Sequence, residues 1–238
     1  MKKGLFLFPA CALASFVAAA HAAPVFDPTG FDLRETKAFS MSVLPATALG
    51  QPKADAPYRL TPGGIALSSE ARKPTAYHAR QPRTEFSESR PWRVADAEAM
   101  LDATIHIDRF PKSGNVVLAE LTADEDATPI LRILVDGDRL VLHGQVDNAP
   151  ENGVVLGTLD DTHTAHIMLH TRPDGMMTVA ANGTPSTFRL SPQAMAIPVM
   201  FRTGAHAIND IGTTPDQIAV TLTGLSVHHG AAQSGLRS

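Results

Sequence analysis

From Leu101 onward the chain is written in short segments that alternate apolar and polar residues, and most of them stop at a turn signal. Ala103-Thr104-Ile105-His106-Ile107-Asp108 is the clearest of them. Successive side chains of a strand point to opposite faces, so this text buries one face and wets the other. Val116–Leu121 is a denser apolar run, and Ile130–Val135 and Arg139–His143 flank Asp136-Gly137, a dipeptide suited to tight hairpins. Thr164–His170 leads to Asp174-Gly175 and is followed by Met176–Ala180, and Asn182-Gly183 marks a further turn. Pro198–Thr203 and Ile218–Val227 close the series. Strands recurring every ~8–12 residues with glycine-containing turns predict an all-β sandwich or barrel. The single helix candidate is short, near Ser191–Met195. Residues 23–80 are rich in Pro, Ala and Thr, and Ala38–Leu44 and Tyr58–Leu67 are candidate edge strands there. Pattern alone leaves open whether that stretch is a linker or the edge of the sandwich.

The start of the chain reads as an export signal. Lys2 and Lys3 precede an uncharged apolar run from Gly4 to Ala20, and Ala20-His21-Ala22 supplies the small residues that flank a signal-peptidase cut. The run is too short to be retained as a membrane span. Phe8-Pro9-Ala10 ahead of Cys11 is a poor lipidation site. The expectation is a signal peptide over residues 1–22, one domain over 23–238, and a periplasmic or secreted mature protein with no membrane attachment. Cleavage removes Cys11, the sole cysteine, so the mature chain has no disulfide, thiol nucleophile or thiolate metal ligand. About 215 residues suffice for one large β domain held by its core alone. The formal charge of −4 becomes −6 without Lys2 and Lys3, which argues against a nucleic-acid partner. Any grip on a polyanion must therefore be local. Aromatic residues at 5% weaken the case for an open platform that stacks neutral sugars.

Three segments together resemble the alginate lyase 2 group, polysaccharide lyase family 7. Arg83-Thr84-Glu85-Phe86-Ser87-Glu88 is similar to that family's R-[ST]-E-L-R-E, with Trp92 following. Val116-Val117-Leu118-Ala119-Glu120-Leu121-Thr122 stands where the family has a strand ending in Q-I-H, and Met200-Phe201-Arg202-Thr203-Gly204-Ala205-His206 where it has Y-F-K-A-G-x-Y. The resemblance runs from about Phe31 to His229. It implies a concanavalin A-like jelly-roll β-sandwich whose concave face holds a uronate-containing anionic polysaccharide. It also implies cleavage by β-elimination with no cofactor and no metal. In that reaction a cation neutralises the uronate carboxylate, a base removes the adjacent proton, and an acid protonates the departing oxygen.

Carried over residue by residue, the resemblance assigns catalytic positions to Arg83, Glu120 and His206, and substrate contacts to Thr122 and Arg202. Only Arg83 is unchanged among the central four: Glu120 replaces glutamine, Thr122 histidine and His206 tyrosine, while Arg202 keeps the charge of a lysine. Period-two alternation puts Glu120 with Thr122, and Met200 with Arg202, on common faces. An ionised Glu120 would repel a carboxylate, so it helps only if protonated or acting as a base. His206 can replace tyrosine because imidazole gives and takes protons near neutrality. The plain alternatives are a surface ion pair of Arg83 with Glu85 or Glu88, a cross-sheet pair of Glu120 with Arg132 or Arg202, and an exposed loop position for His206.

His106 and His143 lie in strands and are further candidates to reach the concave face, His143 as a substrate contact. His166 and His170 share a strand face, but four residues of strand separate them by about 13 Å, too far for one ion. His228 and His229 point to opposite faces if their strand continues. Two functional classes follow: a lyase acting on a uronate polymer, and an inactive glycan-binding or envelope protein on the same scaffold. Hydrolysis would need a second acid facing Glu120, and the sequence identifies none.

Overall fold

The computed structural model describes residues 25–37, 39–50, 52, 54–73, 81–123, 129–147, 150, 152–208 and 216–230. The proposed signal residues 1–22, with Cys11, and Ala38 of the first edge-strand candidate lie outside the described residues.

Strands numbered in chain order form two antiparallel sheets. One has eight strands in the order β10-β9-β8-β7-β14-β5-β1-β2. Its members are β1 (Phe31–Thr36), β2 (Met41–Pro45), β5 (Arg83–Glu88), β7 (Val116–Thr122), β8 (Leu131–Asp136), β9 (Arg139–Gly144), β10 (Val154–Thr158) and β14 (Met200–Ala207). The other has seven, ordered β13-β12-β11-β6-β15-β4-β3. These are β3 (Tyr58–Thr61), β4 (Gly64–Ala71), β6 (Ala99–Arg109), β11 (Thr164–Thr171), β12 (Met176–Ala181), β13 (Thr184–Arg189) and β15 (Asp216–His229). The architecture is the all-β jelly-roll sandwich. Among the described residues no helix is long and apolar enough to cross a membrane.

The alternation predicted for β6 is realised: Leu101, Ala103, Ile105 and Ile107 enter the core, while Asp102, Thr104 and His106 face outward. β11 does the same with Ala165, Ile167 and Leu169. From the other sheet come Phe86, Leu118, Leu121, Ile133, Leu142 and Phe201, and Phe86 meets Phe26 and Phe31 edge to face. The short helix α1 (Pro192–Ala196) starts at Ser191, whose hydroxyl accepts from the Ala194 N–H, with Pro192 at the first turn where no N–H is needed.

Residues 23–80 are sandwich where they are described. Tyr58–Leu67, expected as one strand, is a hairpin, because Pro62-Gly63 turns the chain between β3 and β4. β1 lacks clean alternation in the sequence, yet it pairs with both β2 and β5.

Two backbone features shape the middle of the eight-stranded sheet. Strand β7 carries a bulge at Leu118–Ala119, which sends both side chains into the core and resets the faces. Glu120 and Thr122 therefore stay on the outer face, as period two predicts, and Val117 joins them there. On β14, Gly204 sits opposite Glu85 with φ +154°, and a Cβ there would fall 2.5 Å from Glu85 Cα and from Thr84 O. Only glycine lets the two strands close at that point.

Candidate active site

The sequence-predicted residues meet on the outer face of the eight-stranded sheet. Alternation along β5 turns Arg83, Glu85 and Ser87 outward, while Phe86 enters the core and Glu88 accepts hydrogen bonds from Trp92 Nε1 and the Phe201 N–H. Glu88 is therefore no partner for Arg83. β14 contributes Arg202 and His206, paired in register with Ser87 and Arg83 respectively. β7 contributes Glu120 opposite Arg202, and β8 contributes Arg132 opposite Glu120. Arg34 of β1 faces Glu85 from the other side. Reading across the strands, cation and carboxylate alternate: Arg34, Glu85, Arg202, Glu120, Arg132.

These groups are closely linked. Glu85 Oε1 lies 3.0 Å from Arg83 Nε and 3.4 Å from Arg202 Nη1. Arg132 Nε donates to Glu120 Oε1 at 2.5 Å, and His206 Nδ1 stands 3.9 Å from the same oxygen. Met200 packs its sulfur against both Ser87 Oγ and Arg202 Nη2. Glu85, Glu120, Arg202 and His206 are all buried, whereas the side chains of Arg83 and Arg132 retain 14% and 23% exposure. Solvent thus reaches the network through those two guanidiniums and through the half-buried Arg34. Thr122, also buried, shares Glu120's face and pairs in register with Met200.

Burial pushes the His206 imidazole down to about 3; Glu120 pulls the other way, and Arg83, Arg132 and Arg202 push it further down. Burial also raises the Glu85 carboxyl, against the pull of Arg83 and Arg202 and with the repulsion of Glu120. For Glu120 burial likewise opposes ionisation, but the pull of His206, when protonated, and of Arg132 and Arg83 outweighs it and the carboxyl sits below its ordinary range. With His206 unprotonated at neutral pH, the Glu120 charge is balanced by the guanidiniums, Arg132 above all. Nδ1 of His206 is buried and makes no hydrogen bond.

Oxygens of Glu85 and Glu120 and a ring nitrogen of His206 lie within 4.8 Å of one another, a spacing that a cation can bridge. The charges speak against a cation. Arg83, Arg132 and Arg202 stand around Glu85 and Glu120, and a divalent ion placed between the two carboxylates would sit beside all three guanidiniums. The set is better matched to an anion.

Several expectations change. His206 is not in an exposed loop; it is buried within β14. His106 belongs to the seven-stranded sheet, where its ring nitrogens lie 3.5 Å from Asp108 Oδ1 and 3.3 Å from Thr164 Oγ1, so it cannot reach this face. His143 does lie on this face, on β9 beside Arg132. A second acid, Glu85, lies on the same face of the same sheet as Glu120, two strands away and paired with Arg83 and Arg202, and does not face it across a groove as hydrolysis requires. Arg34 and Arg132 also belong to the network. Glu85 and Arg132 carried signals, one through its place in the first motif and the other through the hairpin register; Arg34 carried none. His166 and His170 bind separate carboxylates, Asp102 at 3.1 Å and Glu98 at 2.5 Å.

No protein-family profile matches the sequence, and no curated protein matches it in sequence. Solved structures do match its fold. An alginate lyase of Pseudomonas aeruginosa superposes with a TM-score of 0.67 at 19% identity, covering 86% of this chain and 100% of that one. The family-7 alginate lyase A1-II′ superposes at 0.70 and 17% identity, covering 87% and 97%, and a variant of it is known in complex with a substrate. The marine family-7 alginate lyase AlyA1 of Zobellia galactanivorans gives 0.66 at 12% identity, covering 86% and 96%. At such identities the common property is the scaffold: this chain has the two-sheet jelly-roll fold of the family-7 alginate lyases.

Proposed function

We propose that this chain is an exported polysaccharide lyase that takes a uronate-containing polymer on the outer face of the eight-stranded sheet and cleaves it by β-elimination. The observation that carries the reading is the convergence of Arg83, Glu120, Arg202 and His206 on one face of the eight-stranded sheet, with Nδ1 of His206 making no hydrogen bond. Arg83, which reaches solvent, pairs with the uronate carboxylate and so acidifies the neighbouring C–H. His206 takes that proton, the electrons form the ring C=C bond, and the C–O bond to the leaving sugar breaks. The imidazolium then returns the proton to the departing oxygen. An imidazole held near 3 is a weak base in the empty site. Burial is the larger cause of that depression, and a bound carboxylate offsets the smaller part that Arg83, Arg132 and Arg202 add, so the substrate raises the proton affinity of its base. Glu120, 3.9 Å away, stabilises the imidazolium as it forms.

A second reading is favoured by the internal pairing. Glu85 and Glu120 already occupy Arg202 and Arg132, as a substrate carboxylate would, which suits a non-catalytic glycan-binding protein on the same scaffold. Ultraviolet absorbance during incubation with polymannuronate, polyguluronate, glucuronan and glycosaminoglycans separates the two. A rise from unsaturated uronate that His206→Ala abolishes is the expected result. Binding without any rise selects the second reading.

A further inference from the structure

The outer face of the seven-stranded sheet carries two thioethers that its packing does not require. Leu101, Ala103 and Leu169 enter the core, so alternation turns Met100 and Asp102 of β6, and Met168 and His170 of β11, to the other face. Methionine is flexible and apolar, a filler of gaps in cores. Both methionines here are half-buried, and neither belongs to the core. Elsewhere on that face the same two strands show Thr104 and Thr164, the residue type that a sheet surface favours.

The register brings three donor side chains together. Met100 stands directly opposite His170, and Met168 precedes His170 by two residues on the same face of β11. The Cβ atoms of a direct cross-strand pair are about 5 Å apart and diagonal neighbours roughly 7–8 Å, a span that methionine side chains cover. The imidazole is already oriented: His170 Nε2 lies 2.5 Å from Glu98 Oε1. A carboxylate that takes one ring N–H fixes the tautomer and leaves the lone pair of the other nitrogen, Nδ1, for a metal. Glu98 and Asp102 stand two residues to either side of Met100, so carboxylates flank the position. Arg172, just beyond the end of β11, is paired with Asp174 at 2.9 Å.

We infer that Met100, Met168 and His170 form a binding site for one soft monovalent cation, Cu(I), on the opposite outer face of the sandwich from Arg83 and His206. Thioether sulfur is a soft donor that suits Cu(I), whereas Zn(II) takes thiolate, imidazole and carboxylate ligands, and Ca(II) and Mg(II) take oxygen. The ion is held by the two sulfurs and Nδ1. Glu98 is a positioning residue that acts through His170. The site is independent of the reaction proposed above.

The test is anaerobic titration of residues 23–238, which contain no cysteine, with Cu(I) against a chromogenic Cu(I) chelator, together with methyl NMR of the methionines. One equivalent should bind, shift the methyl resonances of Met100 and Met168, and leave those of Met41, Met177 and Met195 in place. Glu98→Ala should weaken binding by about 10–100-fold, as loss of a partner behind a metal-bound histidine does. Met100→Leu and Met168→Leu conserve volume at outward positions and so keep the fold, and each should weaken binding further than Glu98→Ala. Equimolar Zn(II) should not displace the Cu(I). Unchanged affinity in both methionine variants overturns the site, as do shifts confined to other methionines or to His206. Displacement by Zn(II), or a chain that takes no Cu(I) from the chelator, overturns it equally.

Discussion

The two outer faces of the sandwich carry the same kinds of side chain and use them in opposite ways. On the seven-stranded sheet, His166 and His170 pair with Asp102 and Glu98, all partly exposed. On the eight-stranded sheet, His206 lies beside Glu120 with both side chains only 3% exposed. The hydrogen bond to Asp102 raises the His166 pKa against a smaller effect of burial, whereas burial drives that of His206 down to about 3. Residue type does not decide this difference; water does. Where solvent screens a pair, protonation follows the nearest partner. Where it is excluded, the cost of burying the charged form decides, and Arg83, Arg132 and Arg202 add to it.

The sharpest way to break the comparison is to remove one cation from each face. Arg202→Ala leaves Glu85 buried beside Glu120 with only part of its compensation, and should cost about 3–5 kcal/mol in urea unfolding. The double variant Arg202→Met with Glu85→Leu removes both charges and should recover much of that loss. Arg172→Ala cuts an exposed pair with Asp174 at 2.9 Å near the turn after β11, and should cost less than ~1 kcal/mol. Equal costs at the two sites would mean that the buried network is no more tightly coupled than a surface pair.

A smaller effect separates two glycines of the eight-stranded sheet. Gly204→Ala places a methyl group 2.5 Å from backbone atoms of β5 and should destabilise by roughly 1–3 kcal/mol. Gly157→Ala on β10 meets nothing within 4 Å and should be nearly neutral. Gly204→Ala also adds bulk between Glu85 and the rest of the network, so proton uptake at low pH should change in that variant alone. If both substitutions are tolerated alike, β14 can move away from β5 and the close approach does not hold the site together.

How much of this was legible follows from which signals are local. Alternation in β6 and β11 and the turns at Asp136-Gly137 and Asn182-Gly183 are properties of a few consecutive residues, and the sheets contain them as read. The face shared by Glu120 and Thr122 was readable for the same reason. What stayed hidden is set by neighbours distant in sequence. His206 follows Gly-Ala and reads as a loop position until β14 is seen between β5 and β7. Nothing near Arg34 in the chain announces Glu85 as its cross-strand neighbour. His106 and His143 both sit in alternating text, and only the order of strands tells which sheet each belongs to.

The titration of the two histidines gives the finest test, because it needs no loss of fold. His206 has a folded pKa of about 3, below its ordinary 6.5. Between those values the unfolded chain binds a proton that the folded chain refuses, so stability falls as pH drops from 6.5 toward 3. His206→Asn should flatten that slope and move acid unfolding to lower pH. His166 has the opposite sign. Its folded pKa is raised, so its pairing stabilises fully below the unfolded value and is lost as pH rises through the folded one. Being partly exposed, it should contribute under ~1 kcal/mol, removed by Asp102→Asn. Ring-proton NMR between pH 5 and 8 should show His166 titrating above its ordinary value while His206 stays unprotonated throughout. Adding a homopolyuronate oligomer should move the His206 midpoint upward and leave that of His166 where it was. A His206 that titrates near 6.5 without ligand would mean that water reaches it, and the contrast between the two faces would then lie in exposure that both share.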